Sequence, residues 1–155
     1  MFLLQHATDE PYLFYCADQT DFVFLSRLAY RLRRQLLVPD VIVDFVREDE
    51  KLFVAVENIG RGPAHHVSTT FEPALRGVRG SVEVSELALF EHLSFLAPGK
   101  EIRTFLDTST AYFERDAPTQ ITATVRFEND EGEHFRRSMS HDLRVYNGSA
   151  TQVAQ

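Results

Sequence analysis

Apolar and polar residues alternate along most of this chain with a period of two, the signature of strands half-buried in a sheet. Lys51 to Asn58 places Leu52, Val54 and Val56 on one face. Ile121, Ala123, Val125 and Phe127 alternate with Thr122, Thr124, Arg126 and Glu128. Val41 to Val46, Ala64 to Phe71 and Lys100 to Leu106 read as further strands. The polar run Arg47-Glu48-Asp49-Glu50 reads as a turn. Asn129-Asp130-Glu131-Gly132 reads as a hairpin loop into Glu133 to Met139, and the chain continues to Leu143 and Val145. Glu86 to Phe95 fits a short helix or a strand. Six or seven strands at hairpin spacing, without helical crossovers, predict an all-β fold, an antiparallel sandwich. The long connection Glu72 to Ser85 is the expected crossing between its sheets.

The period changes near the N-terminus. Phe22, Leu25, Ala29, Leu32 and Leu36 follow steps of 3, 4, 3 and 4, so they share one face of an amphipathic helix. Asp21 is the expected N-cap, and Pro39 stops the helix. Arg27, Arg31 and Arg34 line another face, with Arg33 beside them. Three coverings for the apolar stripe follow: its own domain, a second copy or other protein, or an anionic membrane surface met by the arginines. Arginines toward a helix C-terminus also suit the helix dipole without any partner. The expected organisation is an N-terminal helical segment over 1–38, a sandwich over 39–146 and a flexible tail over 147–155.

Between two strands stands Asn58-Ile59-Gly60-Arg61-Gly62-Pro63-Ala64. Gly60 and Gly62 are expected at positive φ, which tight turns demand and glycine tolerates. Pro63 fixes φ and donates no hydrogen bond, which suits a strand entrance. Asn58 is expected to bond to nearby backbone and hold the turn. Each of the four residues has a structural role.

This turn resembles that of bacterial immunoglobulin-like sandwich domains of the CARDB-like type, which carry an Asn-x-Gly-x-Gly-Pro-Ala turn. Leu96-Ala97-Pro98-Gly99-Lys100-Glu101-Ile102 matches the turn entering a later strand. The likeness covers roughly residues 39–146 and implies an immunoglobulin-like antiparallel β-sandwich of about seven strands. The chain also resembles uncharacterised membrane-associated bacterial proteins in which such a sandwich follows a membrane helix and an arginine-rich helix. Arg31 to Leu36, followed by Pro39, matches the arginine-rich part, while the membrane helix has no counterpart here. The resemblance names no substrate.

The 155 residues suit one domain with an extension. Thirteen phenylalanines supply large rings for a core between two layers. The formal charge is −7, all of it from residues 39–155, which hold twelve basic and nineteen acidic residues. Such a body repels phosphate backbones, so no nucleic-acid partner is expected. Cys16 is the only cysteine, so no internal disulfide forms. Met1-Phe2-Leu3-Leu4 lacks the basic start and long apolar stretch of a signal peptide. No run approaches the roughly 18 apolar residues of a membrane span, so the expected location is cytoplasmic or at a membrane periphery.

Chemistry is sparse. His65 and His66 are adjacent on an expected strand, so their side chains should leave opposite faces. His134 and His141 are an odd number apart and should diverge as well, unless a bulge intervenes. No His-x-x-x-His pair, cysteine pair or His-Glu-x-x-His run exists. There is no Gly-x-Ser-x-Gly elbow, and Gly77-Val78-Arg79-Gly80 opens no helix after a strand. Asn129, Asp130, Glu131 and Glu133 admit a calcium reading, though solvated turn charges account for them. No cofactor and no metal are expected. The sequence therefore favours a non-catalytic protein-interaction or assembly module, with a protein partner or homodimer through the helix. The alternatives are a peripheral module binding anionic lipid and an enzyme with a loop-borne site.

Overall fold

A computed structural model describes residues 19–148. The chain divides into two units, residues 1–35 and 36–155. In the first, Gln19–Leu36 forms helix α1, which includes the last residue before the boundary and the first after it. The helix ends three residues before Pro39, whose ring disfavours helical geometry in the residue before it. Asp21 lies inside the helix rather than capping it, because Gln19 and Thr20 are already helical. Cys16, His6 and the tail from 149 onward lie outside the described residues.

The second unit is an antiparallel sandwich. Strands β1 (Val41–Glu48), β2 (Lys51–Asn58) and β7 (Glu101–Thr108) form one sheet in the order β1-β2-β7. Strands β3 (Ala64–Glu72), β6 (Leu93–Leu96), β8 (Gln120–Glu128) and β9 (His134–Asp142) form the other, in the order β6-β3-β8-β9. A two-stranded ribbon, β4 (Arg76–Gly77) with β5 (Val82–Glu83), belongs to neither sheet and rests against β7, where Val78 N donates to Leu106 O. The seven strands of the main sheets agree with the number expected from the hairpin rhythm. Three strands facing four, with every pair antiparallel, give an immunoglobulin-like arrangement.

Period-two alternation explains the core. Val41, Val43 and Phe45 of β1, Leu52, Val54 and Val56 of β2, and Ile121, Ala123, Val125 and Phe127 of β8 are all buried. They meet Leu106, Val67 and Phe71 from the remaining strands. Each valine or leucine removed from water here contributes about 1.5–3 kcal/mol. Phe71 and Phe90 meet edge to face with centroids 5.0 Å apart, the geometry that aromatic quadrupoles favour.

Three local expectations are corrected. The Arg47–Glu50 turn is shorter than the run of charge implies: β1 continues through Glu48, and Asp49 turns the chain at φ 54°. The segment Glu86 to Phe95 is both things at once, a one-turn helix α2 (Ala88–Glu91) followed by β6. The connection Glu72 to Ser85 is not the crossing between sheets. It carries the β4–β5 ribbon and returns through β6 to pair with β3 in the same sheet. The crossings are instead short: residues 59–63 from β2 to β3, residues 97–100 from β6 to β7, and the α3 (Ser109–Glu114) segment from β7 to β8.

Candidate functional site

Helix α1 carries the residues that the sequence marks for interaction. Phe22, Leu25 and Leu32 are 69%, 57% and 51% exposed, and Ala29, Arg27 and Arg31 are exposed too. Arg34 and Leu36 have side chains outside the described residues. Phe24 and Leu28 are also exposed. Leu28 sits three residues after Leu25 and four before Leu32, and Phe24 four before Leu28, so both border the stripe. The apolar arc is thus wider than five positions. The signal for the two extra residues was present in the same 3–4 spacing.

The Asn58 turn lies at the opposite extreme of burial. Asn58 is 0% exposed, and its side chain makes four hydrogen bonds. Its Oδ1 accepts from the Asp40 amide at 3.1 Å and the Gly60 amide at 3.0 Å. Its Nδ2 donates to the Gly62 carbonyl at 2.8 Å and the Leu96 carbonyl at 3.1 Å. The backbone adds two more: Asn58 N donates to Lys100 O, and Gly99 N donates to Asn58 O. Two sequence segments that look independent, 58–64 and 96–102, are therefore parts of one joint between the sheets.

Gly60 and Gly62 do not have positive φ. The reason for glycine is close approach. A Cβ on Gly62 would lie 1.9 Å from the Leu37 carbonyl oxygen, and one on Gly60 would lie 2.3 Å from the Asp40 nitrogen. The segment leading into β1 occupies that space and bonds to the turn: Ile59 N donates to Asp40 O, and Arg61 N and Gly62 N both donate to Val38 O. Pro63 directly precedes β3, where the missing donor costs nothing.

Three histidines, His65, His66 and His134, gather at the loop end of the β8–β9 hairpin. A bulge inserts one extra residue in β3 between His65 and Ser68, and His66 takes φ 48°. Regular alternation is broken there, so the expected divergence of His65 and His66 fails. His65 Nε2 lies 2.7 Å from Asp130 Oδ1, and His66 Nδ1 lies 3.1 Å from Glu128 Oε2. Glu128 also meets His134 Nδ1 at 3.2 Å through its other oxygen. His141 instead packs edge-on against Phe45, on the inner face. Among the described residues, no group of three histidine, cysteine or acidic side chains has the geometry to hold a metal ion. The Asn129 loop closes on itself: Asn129 Oδ1 accepts from Glu131 N and Glu133 N, and Nδ2 donates to Glu133 Oε2.

Two further polar centres escaped sequence reasoning. Asp107 is 3% exposed and accepts from Arg115, from Arg79 N at 2.9 Å and from Thr108 N at 2.9 Å. This fixes Val78 and Arg79 at φ 46° and 58°, an unfavourable region for a β-branched valine. Nearby, burial pushes the Tyr112 hydroxyl up to about 12, partly opposed by the Arg115 charge. That hydroxyl donates to Pro118 O at 2.6 Å. The second centre is a depression of about 430 Å³ lined by Arg47, Glu50, Ser109, Phe113, Glu114 and Tyr146. Arg47 crosses it to the Tyr146 carbonyl, and burial raises the Tyr146 hydroxyl above its ordinary value. At the end of β9, hydrogen bonds from Arg144 hold Asp142 down to about 2.

Two antiparallel sheets, three strands facing four around one apolar core, define an immunoglobulin-like β-sandwich. Residues 12–147 match the model of a domain of unknown function, DUF8453, and the chain belongs to that family. No curated protein matches it. No helix among the described residues is long and apolar enough to cross a membrane.

Proposed function

We propose that this chain is a non-catalytic assembly module that pairs with a second copy of itself through α1, in the cytoplasm of a bacterium or at the periphery of its membrane. The observation that carries the reading is the exposure of Phe22, Phe24, Leu25, Leu28 and Leu32 on adjoining positions of one helix. Isolated exposed leucines are ordinary, but a contiguous apolar arc of this kind marks an interaction surface. The sandwich meanwhile has a closed core of its own.

A second copy is the occupant that the charge pattern favours. Asp21 stands at the start of the helix, and Arg31, Arg33 and Arg34 stand toward its end. Antiparallel pairing about a two-fold axis places each acidic end beside the partner's basic end. The kinship with CARDB-like domains belongs to this proposal, supported by the Asn58–Ala64 turn and its junction with residues 96–100. Arg27 and Arg31 beside the arc favour one further reading, an anionic membrane surface.

Light scattering on the full chain, with Leu32→Asp beside it, tests the proposal. A dimer that Leu32→Asp converts to monomer, with thermal unfolding of the sandwich unchanged, supports it. A monomer at millimolar concentration overturns it. Sedimentation with phosphatidylglycerol vesicles, lost on replacing Arg27 and Arg31 by Gln, would transfer the role to lipid.

A further inference from the structure

We infer that Arg126 and Arg136, with Ser68, form a binding site for the phosphate group of a soluble phosphomonoester on the outer face of the four-stranded sheet. The inference is independent of the helix.

Arg126 of β8 stands directly opposite Arg136 of β9, and Ser68 of β3 stands opposite Arg126 on the other side. Directly opposed side chains in an antiparallel pair have Cβ atoms about 5 Å apart. Like charges so placed are destabilising unless an anion lies between them. Six of the second unit's ten arginines pair with carboxylates: Arg47 with Glu50, Arg76 with Glu83, Arg103 with Glu48, Arg115 with Asp107, Arg137 with Asp40, Arg144 with Asp142. Arg61 and Arg79 make no such pair among the described residues, but each stands singly on a turn, whereas Arg126 and Arg136 face each other. In a chain of net charge −7, acidic residues are not scarce. Yet neither Arg126 nor Arg136 makes an ion pair or side-chain hydrogen bond with any described residue.

The surroundings sharpen the contrast. The neighbouring rows on this face close on themselves. Thr124 and Ser138 share a hydrogen bond at 3.0 Å, and Thr122 and Ser140 share one at 3.3 Å. On the other flank, Glu128 directs its two oxygens to His66 and His134 rather than to the arginines. The row between them is left with two guanidinium forks and a serine hydroxyl, all donors to an oxyanion. A depression of about 400 Å³ lies over this row, lined by Ser68, Arg126 and Arg136, by His66, Glu128 and His134, and by Phe127 and Phe135.

Two forks match a dianion, and a phosphomonoester is close to dianionic at neutral pH. A single carboxylate could bridge the two forks, but it brings one negative charge against two positive ones. The rows on one side of the site present Thr70, Thr122, Thr124, Ser138 and Ser140. On the other side Phe95 of β6, opposite His65, is exposed. One ring among hydroxyls and charges gives a bilayer little apolar area to bury, so the face suits a soluble ligand rather than a lipid headgroup.

The test is a titration of the full, isotope-labelled chain with inorganic phosphate and with phosphoserine, followed by amide NMR at constant ionic strength. Saturable shifts at Ser68, Arg126 and Arg136 are expected. Arg126→Gln and Arg136→Gln should each weaken binding about tenfold, the loss of a charge-assisted contact. Arg61→Gln, on the turn before β3 and outside the Ser68–Arg126–Arg136 row, should change nothing. Spectra of the variants, unchanged away from the site, show that they fold. Non-saturating shifts, an equal response to acetate, or equal weakening by Arg61→Gln would overturn the site. Sedimentation with phosphatidic acid vesicles, without saturation by either soluble probe, would overturn the soluble source.

Discussion

Asn58 accepts the Asp40 amide at 3.1 Å, while the Asp40 carboxylate turns away to Arg137 at 2.6 Å. One short segment before β1 is thereby tied to both sheets, by its backbone to the end of β2 and by its side chain to β9. The consequences for Asn58 are direct. Asn58→Ala leaves buried donors and acceptors in three segments without partners, each costing about 1–3 kcal/mol. A loss of at least about 3 kcal/mol is expected in urea denaturation. Asn58→Asp should do no better, because it removes both Nδ2 bonds and buries a charge.

The glycines separate two reasons for the same residue. Gly62→Ala puts a methyl group against the Leu37 carbonyl and should cost more than about 2 kcal/mol, although φ there is ordinary. Gly99→Ala meets open space but keeps φ 66°, and should cost about 1 kcal/mol. Thermal unfolding of the two variants side by side checks the order; a harmless Gly62→Ala would mean that the turn and the segment before β1 do not touch.

Arg115 neutralises a carboxylate that water barely reaches. Arg115→Met should cost about 3 kcal/mol by leaving Asp107 charged and without its guanidinium. Asp107→Asn in the Arg115→Met background should recover part of that loss, a coupling that a double-mutant cycle reads.

Alkaline pH should destabilise the sandwich through Tyr112. Its hydroxyl ionises at about 12 when folded and near 10 when not. Between those values the folded state holds the proton and the unfolded chain does not. Stability is therefore full below about pH 10 and falls as pH rises through the window. Tyr146, also raised, adds in the same sense. Tyr112→Phe should be about 1 kcal/mol less stable at neutral pH, having lost its bond to Pro118. It should show a shallower alkaline decline in melting temperature.

The strands were legible because one periodicity fixes both element and face: Leu52, Val54, Val56 and the Ile121–Phe127 set point inward as their spacing requires. What sits between strands was less legible. A glycine turn joining two strands looks alike whether it makes a hairpin or passes to another sheet, and only β3 pairing with β6 and β8 decides it. The role of Gly60 and Gly62 depends on residues 37–40, which the turn's own sequence does not mention. The bulge at His66 carries no proline or glycine to mark it. The opposition of Arg126 and Arg136 was within reach, since a hairpin closing Glu128 against His134 fixes every pair behind it.

The Asn58 joint also has a meaning in time. Two of the four side-chain partners of Asn58 lie 18 and 38 positions away along the chain. Local hairpins such as β8–β9 form within microseconds, whereas contacts that close long loops come after the loops have been ordered. The joint should thus be made on the native side of the folding barrier. Weakening it should leave the refolding arm of a chevron plot unmoved and speed escape from the native state, so that Asn58 sets how long a folded molecule lasts rather than how fast it is made.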